Sequence, residues 1–188
     1  MTVSEIFAEL SAHMVKGLMF HEQMSDYYDF LNLKGYKRCH EYHFFCENIA
    51  FRKLTRYYIN HYNKLIDMVD FDDPGVIPMS WWQYSRQEVT PETKRNAVKD
   101  AITSWVRWEK ETKALYQRSY KNLVEIGEVA AAMKIKHFLE DVDEELKCAE
   151  RKHLELMGVN YDLIFITEMQ PCEHDLYKEK LKEMEIDL

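Results

Sequence analysis

The sequence predicts an all-α protein: a four-helix bundle in which two antiparallel helical hairpins are joined by one long crossover, with a short C-terminal helix. Only 5 glycines and 4 prolines occur in 188 residues, which favours long helices over a turn-rich β fold. Four long segments carry apolar residues at the three- and four-residue spacing of amphipathic helices. The connections between these segments differ in length, and that difference predicts the topology.

The predicted helices lie at 4–31, 36–68, 91–126 and 130–157. The third has the clearest ends, because Thr90 is suited to cap it, Pro91 to enter its first turn and Gly127 to end it. The first connection has about four residues and the third about three, so each predicts an antiparallel hairpin. About twenty residues separate the second and third helices. Fully extended, they reach roughly 66 Å, enough to run along a helix of ~40 Å.

We expect the bundle to occupy residues 1–158. The remaining residues, 159–188, are expected to form a C-terminal tail with a short helix at about 173–186. Gly35 separates the first two predicted helices, and Gly158 ends the fourth.

Composition and charge exclude several classes of function. The formal net charge is −8, which argues against nucleic acid or an anionic membrane as the main partner. No apolar run approaches the ~20 residues of a membrane span, and the N-terminus lacks a basic signal-peptide region. The 4 cysteines form no CxxC pair and are expected to be reduced thiols. These features predict a cytoplasmic protein.

Each predicted helix carries an ionisable residue at a position that faces the bundle interior. The candidates are His21 in the first helix, His43 and Glu47 in the second, Glu109 in the third and Glu145 in the fourth. His21 and Glu47 are each 13 residues from position 34, the centre of the first hairpin; Glu109 and Glu145 are each 18 residues from position 127, the centre of the second. Each hairpin therefore places one pair at a common height.

Three buried carboxylates need compensation from metal ions, shared protons or Lys and Arg partners. Carboxylates together with imidazoles suit iron, manganese or zinc. The second helix leaves an alternative open, since Cys39, Tyr42, Cys46 and Ile49 would form an inward face almost as well.

These positions resemble the ferritin-like superfamily, the bacterial non-haem ferritins in particular, over residues 5–158. Three stretches carry the resemblance. The stretch from His21 to Ser25 through Gly35 to Glu47 is like the end of ferritin helix A, its turn and helix B. Trp108-Glu109 is like an iron-binding position of helix C, and Phe138 to Glu145 is like the acidic part of helix D. The resemblance implies that Glu47, Glu109 and Glu145 are iron ligands.

The sequence departs from the ferritin pattern at several positions. The helix-A Glu of the family falls on Met14, the His of its helix-B ExxH motif falls on Ala50, and His21 stands where ferritins usually carry Tyr. One intact ExxH, Glu150 to His153, lies nearer the end of the fourth helix. A fainter resemblance, through His13 to Gly17 and His21-Glu22, is to the DNA-protecting mini-ferritins.

Two functions remain open at this stage. The first is a non-catalytic interaction or accessory protein that keeps the ferritin-like architecture and a degenerate metal site. The alternative is an iron-binding oxidoreductase or iron-storage protein that uses the His/Glu cluster. The corresponding cofactor is iron in a two-metal site, with manganese, zinc or no metal as alternatives. Trp81, Trp82 and the apolar stretch Tyr161–Ile166 lie outside the inward-facing positions, so we expect a homo-oligomer and allow for a protein partner.

Overall fold

The computed structural model describes residues 1–66 and 89–168 of the chain. These residues form helices and no strand, which confirms the predicted all-α class. The helices are α1 (Val3–Phe30), α2 (Lys34–Tyr62), α3 (Pro91–Glu125), α4 (Val129–Gly158) and the short α5 (Leu163–Glu168).

Local capping interactions explain most helix ends. Thr2 and Glu5 form a capping box at the start of α1. The Thr90 side chain accepts a hydrogen bond from the Thr93 backbone N–H at 3.1 Å, as predicted for the start of α3. Gly127 follows that helix with φ of +82°. The prediction for α2 was wrong at both ends: Gly35 lies inside its first turn, and Asn63, with φ of 51°, ends it well before residue 68.

Two apolar clusters, one at each end of the bundle, reveal the direction of each helix. The first cluster joins the C-terminal halves of α1 and α4 to the N-terminal halves of α2 and α3, and it includes Met24, Tyr36, Ile102 and Leu156. The second joins the opposite halves and includes Leu10, Leu54, Leu123 and Ile135. Helices α2 and α3 therefore run parallel, and α2 ends at the opposite end of the bundle from the start of α3. This arrangement confirms the two hairpins and the long crossover, although residues 67–88 of the crossover lie outside the described part.

The tail begins by folding back onto α3. Tyr161 and Ile166 are buried, and the Arg95 side chain donates a hydrogen bond to the Tyr161 carbonyl at 3.2 Å. Tyr161 and Ile166 of the apolar stretch Tyr161–Ile166 therefore pack within the chain itself, whereas Ile164 is 67% exposed. The short helix expected at 173–186 and the Trp81-Trp82 pair lie outside the described residues. Within that description, no helix is both long and apolar enough to cross a membrane.

Candidate functional site: a polar layer in the middle of the bundle

A layer of ionisable side chains separates the two apolar clusters. It contains the predicted residues His21, His43, Glu47, Glu109 and Glu145, together with His40, and we call these six the polar layer. All four long helices contribute to it, as the predicted heights require. Glu145 remains the most accessible, with 22% of its side chain exposed, whereas Glu109 is 0% exposed. The interior therefore holds several carboxylates and imidazoles with little access to water.

His21 stands at the centre of one chain of contacts across the layer. Its Nδ1 lies 2.9 Å from Nδ1 of His40, so one ring donates a hydrogen bond and the other accepts it. Its Nε2 lies 3.9 Å from Oε1 of Glu109, and that oxygen also accepts a hydrogen bond of 2.8 Å from the indole N–H of Trp105. When His21 is the donor to His40, its Nε2 carries a lone pair on the side of Glu109. That tautomer could bind a metal, with His40 fixing its orientation.

A second set of contacts connects α2 to α4 and α1. Nδ1 of His43 lies 3.5 Å from Oε1 of Glu145. The Glu47 carboxylate lies directly over Gly17, where an added Cβ would be 3.1 Å from the carboxyl carbon. Glycine at this position therefore makes room for a buried Glu from the neighbouring helix.

One acidic oxygen in the layer has no hydrogen bond. Oε2 of Glu109 is buried without a hydrogen-bond partner among the described residues, whereas Nδ1 of His43 has the 3.5 Å contact with Glu145. Native proteins satisfy most buried polar atoms, so such atoms call for a specific explanation. A bound metal ion is one explanation, because it would take this oxygen as a ligand.

Burial and mutual repulsion make the layer retain protons. Burial, followed by the charge of Glu145, raises the pKa of Glu109 to about 8 and that of Glu47 well above its ordinary value. Burial alone would lower the pKa of His43, but its interactions with Cys39 and Glu145 outweigh burial and raise it well above the ordinary value. Glu109, with a pKa of about 8, is therefore mostly protonated at neutral pH, and the pKa of Glu47 is shifted in the same direction.

The other two histidines remain neutral. Burial, followed by the charge of His43, holds the pKa of both His21 and His40 well below its ordinary value. The proton that Glu109 retains therefore reduces the negative charge that the buried acidic groups would otherwise carry.

The donor set fits a divalent transition metal in its chemistry. Carboxylate and imidazole donors suit iron, manganese and zinc, and Glu109 and His43 supply donors of these two types. Within the described residues, no group of three or more His, Cys, Asp or Glu side chains is arranged to hold a metal ion as it stands. Binding would therefore require side-chain rotation and the loss of protons.

Sequence reasoning missed three contributors to the layer. His40 shares the inward face of α2 with His43 and Glu47, at the helical spacing that pointed to those two. Trp105 belongs to the apolar core, and its indole N–H also donates a hydrogen bond to Glu109. The close approach of Gly17 to Glu47 had no sequence signal beyond the small residue itself.

Other motif residues lie away from the layer. His13, part of the mini-ferritin resemblance, stacks on Trp108 with ring centroids 4.4 Å apart and lies 2.7 Å from the hydroxyl of Thr112. Glu150 of the intact ExxH pairs on the surface with Lys110 at 2.9 Å. These contacts account for both residues without a metal.

The bundle was compared with known proteins and solved structures. No family model and no curated protein matches the chain significantly. Among solved structures, an Archaeoglobus fulgidus ferritin engineered into a closed form superimposes with a TM-score of 0.71 at 12% identity, covering 90% of this chain and 96% of that one. An open-pore ferritin from the same hyperthermophilic archaeon superimposes with a TM-score of 0.70 at 13% identity, covering 88% of this chain and 92% of that one. The fold is ferritin-like. At this level of identity, the similarity of this ferritin-like chain to both proteins establishes the fold alone.

Proposed function

We propose that this ferritin-like protein binds divalent metal ions in its polar layer, with Fe(II) as the natural ion. Glu47, Glu109 and Glu145 serve as anionic ligands, and His43 and His21 serve as neutral ones. The observation that carries the proposal is the meeting of these residues from four helices, with one oxygen of Glu109 buried and without a hydrogen-bond partner among the described residues. The ferritin-like fold adds support, because the similar solved structures are ferritins.

The protein's own residues prepare the layer for a cation in three ways. Gly17 leaves space for Glu47, Trp105 holds one oxygen of Glu109, and His40 sets the tautomer of His21. A metal ion held by Glu109 would have to compete with the proton that the raised pKa of this residue favours. A bound iron ion would supply one-electron chemistry with oxygen or peroxide.

Metal analysis tests this proposal most directly. Protein purified from iron-supplemented cells is expected to contain iron, and the metal-free protein is expected to bind Co(II) with a visible absorbance change. Glu109→Ala should abolish binding, whereas Glu150→Ala, which removes a surface carboxylate, should not. A metal-free wild type that also fails to bind Co(II) would refute the proposal.

A second candidate is an interaction protein that has kept the architecture without metal chemistry. The raised pKa values of Glu47 and Glu109 favour it, because a buried carboxyl group that keeps its proton needs no metal to offset its charge. The Met14 and Ala50 positions, where the ferritin pattern has Glu and His, favour it as well. In this case Glu109→Gln folds normally, and neither it nor the wild type binds metal.

We also propose that the chain forms a homo-oligomer. Large apolar side chains remain exposed on the described surface, including Leu154 at 65%, Met157 at 52% and Ile164 at 67%. Such surface is typical of a protein contact. Sedimentation velocity should show a species larger than the 22.7 kDa chain. A monomer at every concentration would contradict this proposal.

A further inference from the structure

A cleft between α2 and α4 leads from the surface to the polar layer. Its volume is about 240 Å³, and its inner wall includes Glu47, Glu145 and Tyr116. The short side chains of Cys46 and Ala50 on α2 face Val142 and Phe138 of α4 across the cleft. The gap therefore exists because α2 places small residues opposite α4 at this height.

The inner end of the cleft presents a buried carboxylate. Glu47 is 7% exposed and lines the cleft, and it has no hydrogen bond or salt bridge with any other described residue. A buried acidic side chain without a partner needs a specific explanation, and a ligand that enters through the cleft and binds Glu47 is one.

The charge of the walls favours a cation. Four carboxylates line the cleft, those of Glu47, Asp141, Glu144 and Glu145, against one ammonium, that of Lys53. Glu144 is partly balanced from outside the cleft by Lys147, at 2.6 Å. Walls with an excess of one sign raise the local concentration of the opposite ion and speed its association.

We propose that this cleft is the entry path by which small hydrated divalent cations reach the polar layer. The inference rests on the proposed metal-binding function and adds the form of the substrate. A site needs only about 10–15 Å³ to admit the centre of one water molecule, so a cleft of about 240 Å³ admits a small hydrated ion.

A second groove provides a matched control. It lies between α1 and α3, has a volume of about 770 Å³, and is lined partly by Ala12, Ala114 and Leu115. None of its lining residues belongs to the polar layer. Filling this larger groove should therefore leave metal entry unchanged.

The test fills each space with the same side chain and measures the rate of metal association. Stopped-flow mixing of metal-free protein with Co(II) is followed by tryptophan fluorescence, since Trp105 contacts Glu109. Ala50→Phe should slow association about tenfold or more, equivalent to ~1.4 kcal/mol of barrier. Dissociation should slow equally, which leaves the affinity unchanged. Ala114→Phe should behave as wild type, and Ala50→Val should give an intermediate rate if the Phe variant folds poorly.

Charge variants at the cleft provide an independent arm. At low salt Asp141→Lys should slow association and Lys53→Glu should speed it, each severalfold. Both effects should disappear at about 1 M salt, where the screening length is ~3 Å. If the wild type binds Co(II), and Ala50→Phe and Ala50→Val bind it as fast as the wild type, the entry path is overturned and the proposed function still stands. A wild type that binds no metal overturns both.

Discussion

Replacing Glu109 by Gln isolates the energetic cost of a buried carboxyl group. The pKa of Glu109 is raised from 4.5 to about 8, chiefly by burial. Above pH 4.5 the unfolded chain loses this proton while the folded protein keeps it, so the folded state binds more protons and stability falls as pH rises. This contribution is fully present below pH 4.5 and lost by the time the pH has passed 8. From pH 4.5 to 7 the loss amounts to roughly 3 kcal/mol, at ~1.4 kcal/mol per unit.

Glutamine does not titrate and can still accept the hydrogen bond from Trp105. The free energy of unfolding of Glu109→Gln should therefore equal that of the wild type near pH 5. At pH 7 it should be higher than that of the wild type by on the order of 3 kcal/mol. Urea unfolding of the metal-free proteins, followed by circular dichroism from pH 5 to 8, measures the difference. Glu150→Gln is the control, because Glu150 is 43% exposed, and it should change stability by less than ~0.5 kcal/mol. A difference between Glu109→Gln and wild type that stays constant over this pH range would refute the reasoning.

Three further predictions concern the metal, the glycine contact and the core. Metal binding should release protons, and the metal affinity should increase from pH 6 to 8, because a cation replaces protons held by the layer. A pH-indicator dye measures the proton release. An affinity that does not depend on pH would count against this prediction. Gly17→Ala should weaken Co(II) binding, since its methyl would lie 3.1 Å from the carboxyl carbon of Glu47, whereas Gly158→Ala meets nothing within 4 Å and should leave binding unchanged. Leu156→Ala should lower the free energy of unfolding by about 2–5 kcal/mol in urea titrations. Leu154→Ala, on the same helix but 65% exposed, should cost less than ~1 kcal/mol; equal losses would contradict the assigned burial.

The heights of the site residues were predictable because they follow from local geometry. A helix rises ~1.5 Å per residue, so residues equidistant from a short hairpin turn lie level with each other. The register of Glu109 among the apolar residues of its helix predicted that it is buried near an ionisable residue of another helix. Glu109 is 0% exposed, and Nε2 of His21 lies 3.9 Å from its Oε1. Whether these residues bind metal stays a prediction.

The sequence by itself determined the helices and their connectivity. Capping at Thr90, the turn at Gly127 and the apolar periodicity act within one or two helical turns, so they can be recognised without the rest of the chain. The unequal connection lengths then left one topology. Local signals were weaker for α2, where two inward faces fitted the pattern, and the end of that helix was placed wrongly.

Only the tertiary structure decided which side chains in the layer meet and which keep their protons. A change of one residue in a helix turns a side chain by ~100°, so small rotations about the axis of α2 determine whether His40 reaches His21. The pKa of Glu109 depends on Glu145 and His43, which are near in space but distant in sequence. The tail fold was decided in the same way, because Tyr161 and Ile166 become buried against the bundle only once its helices have packed.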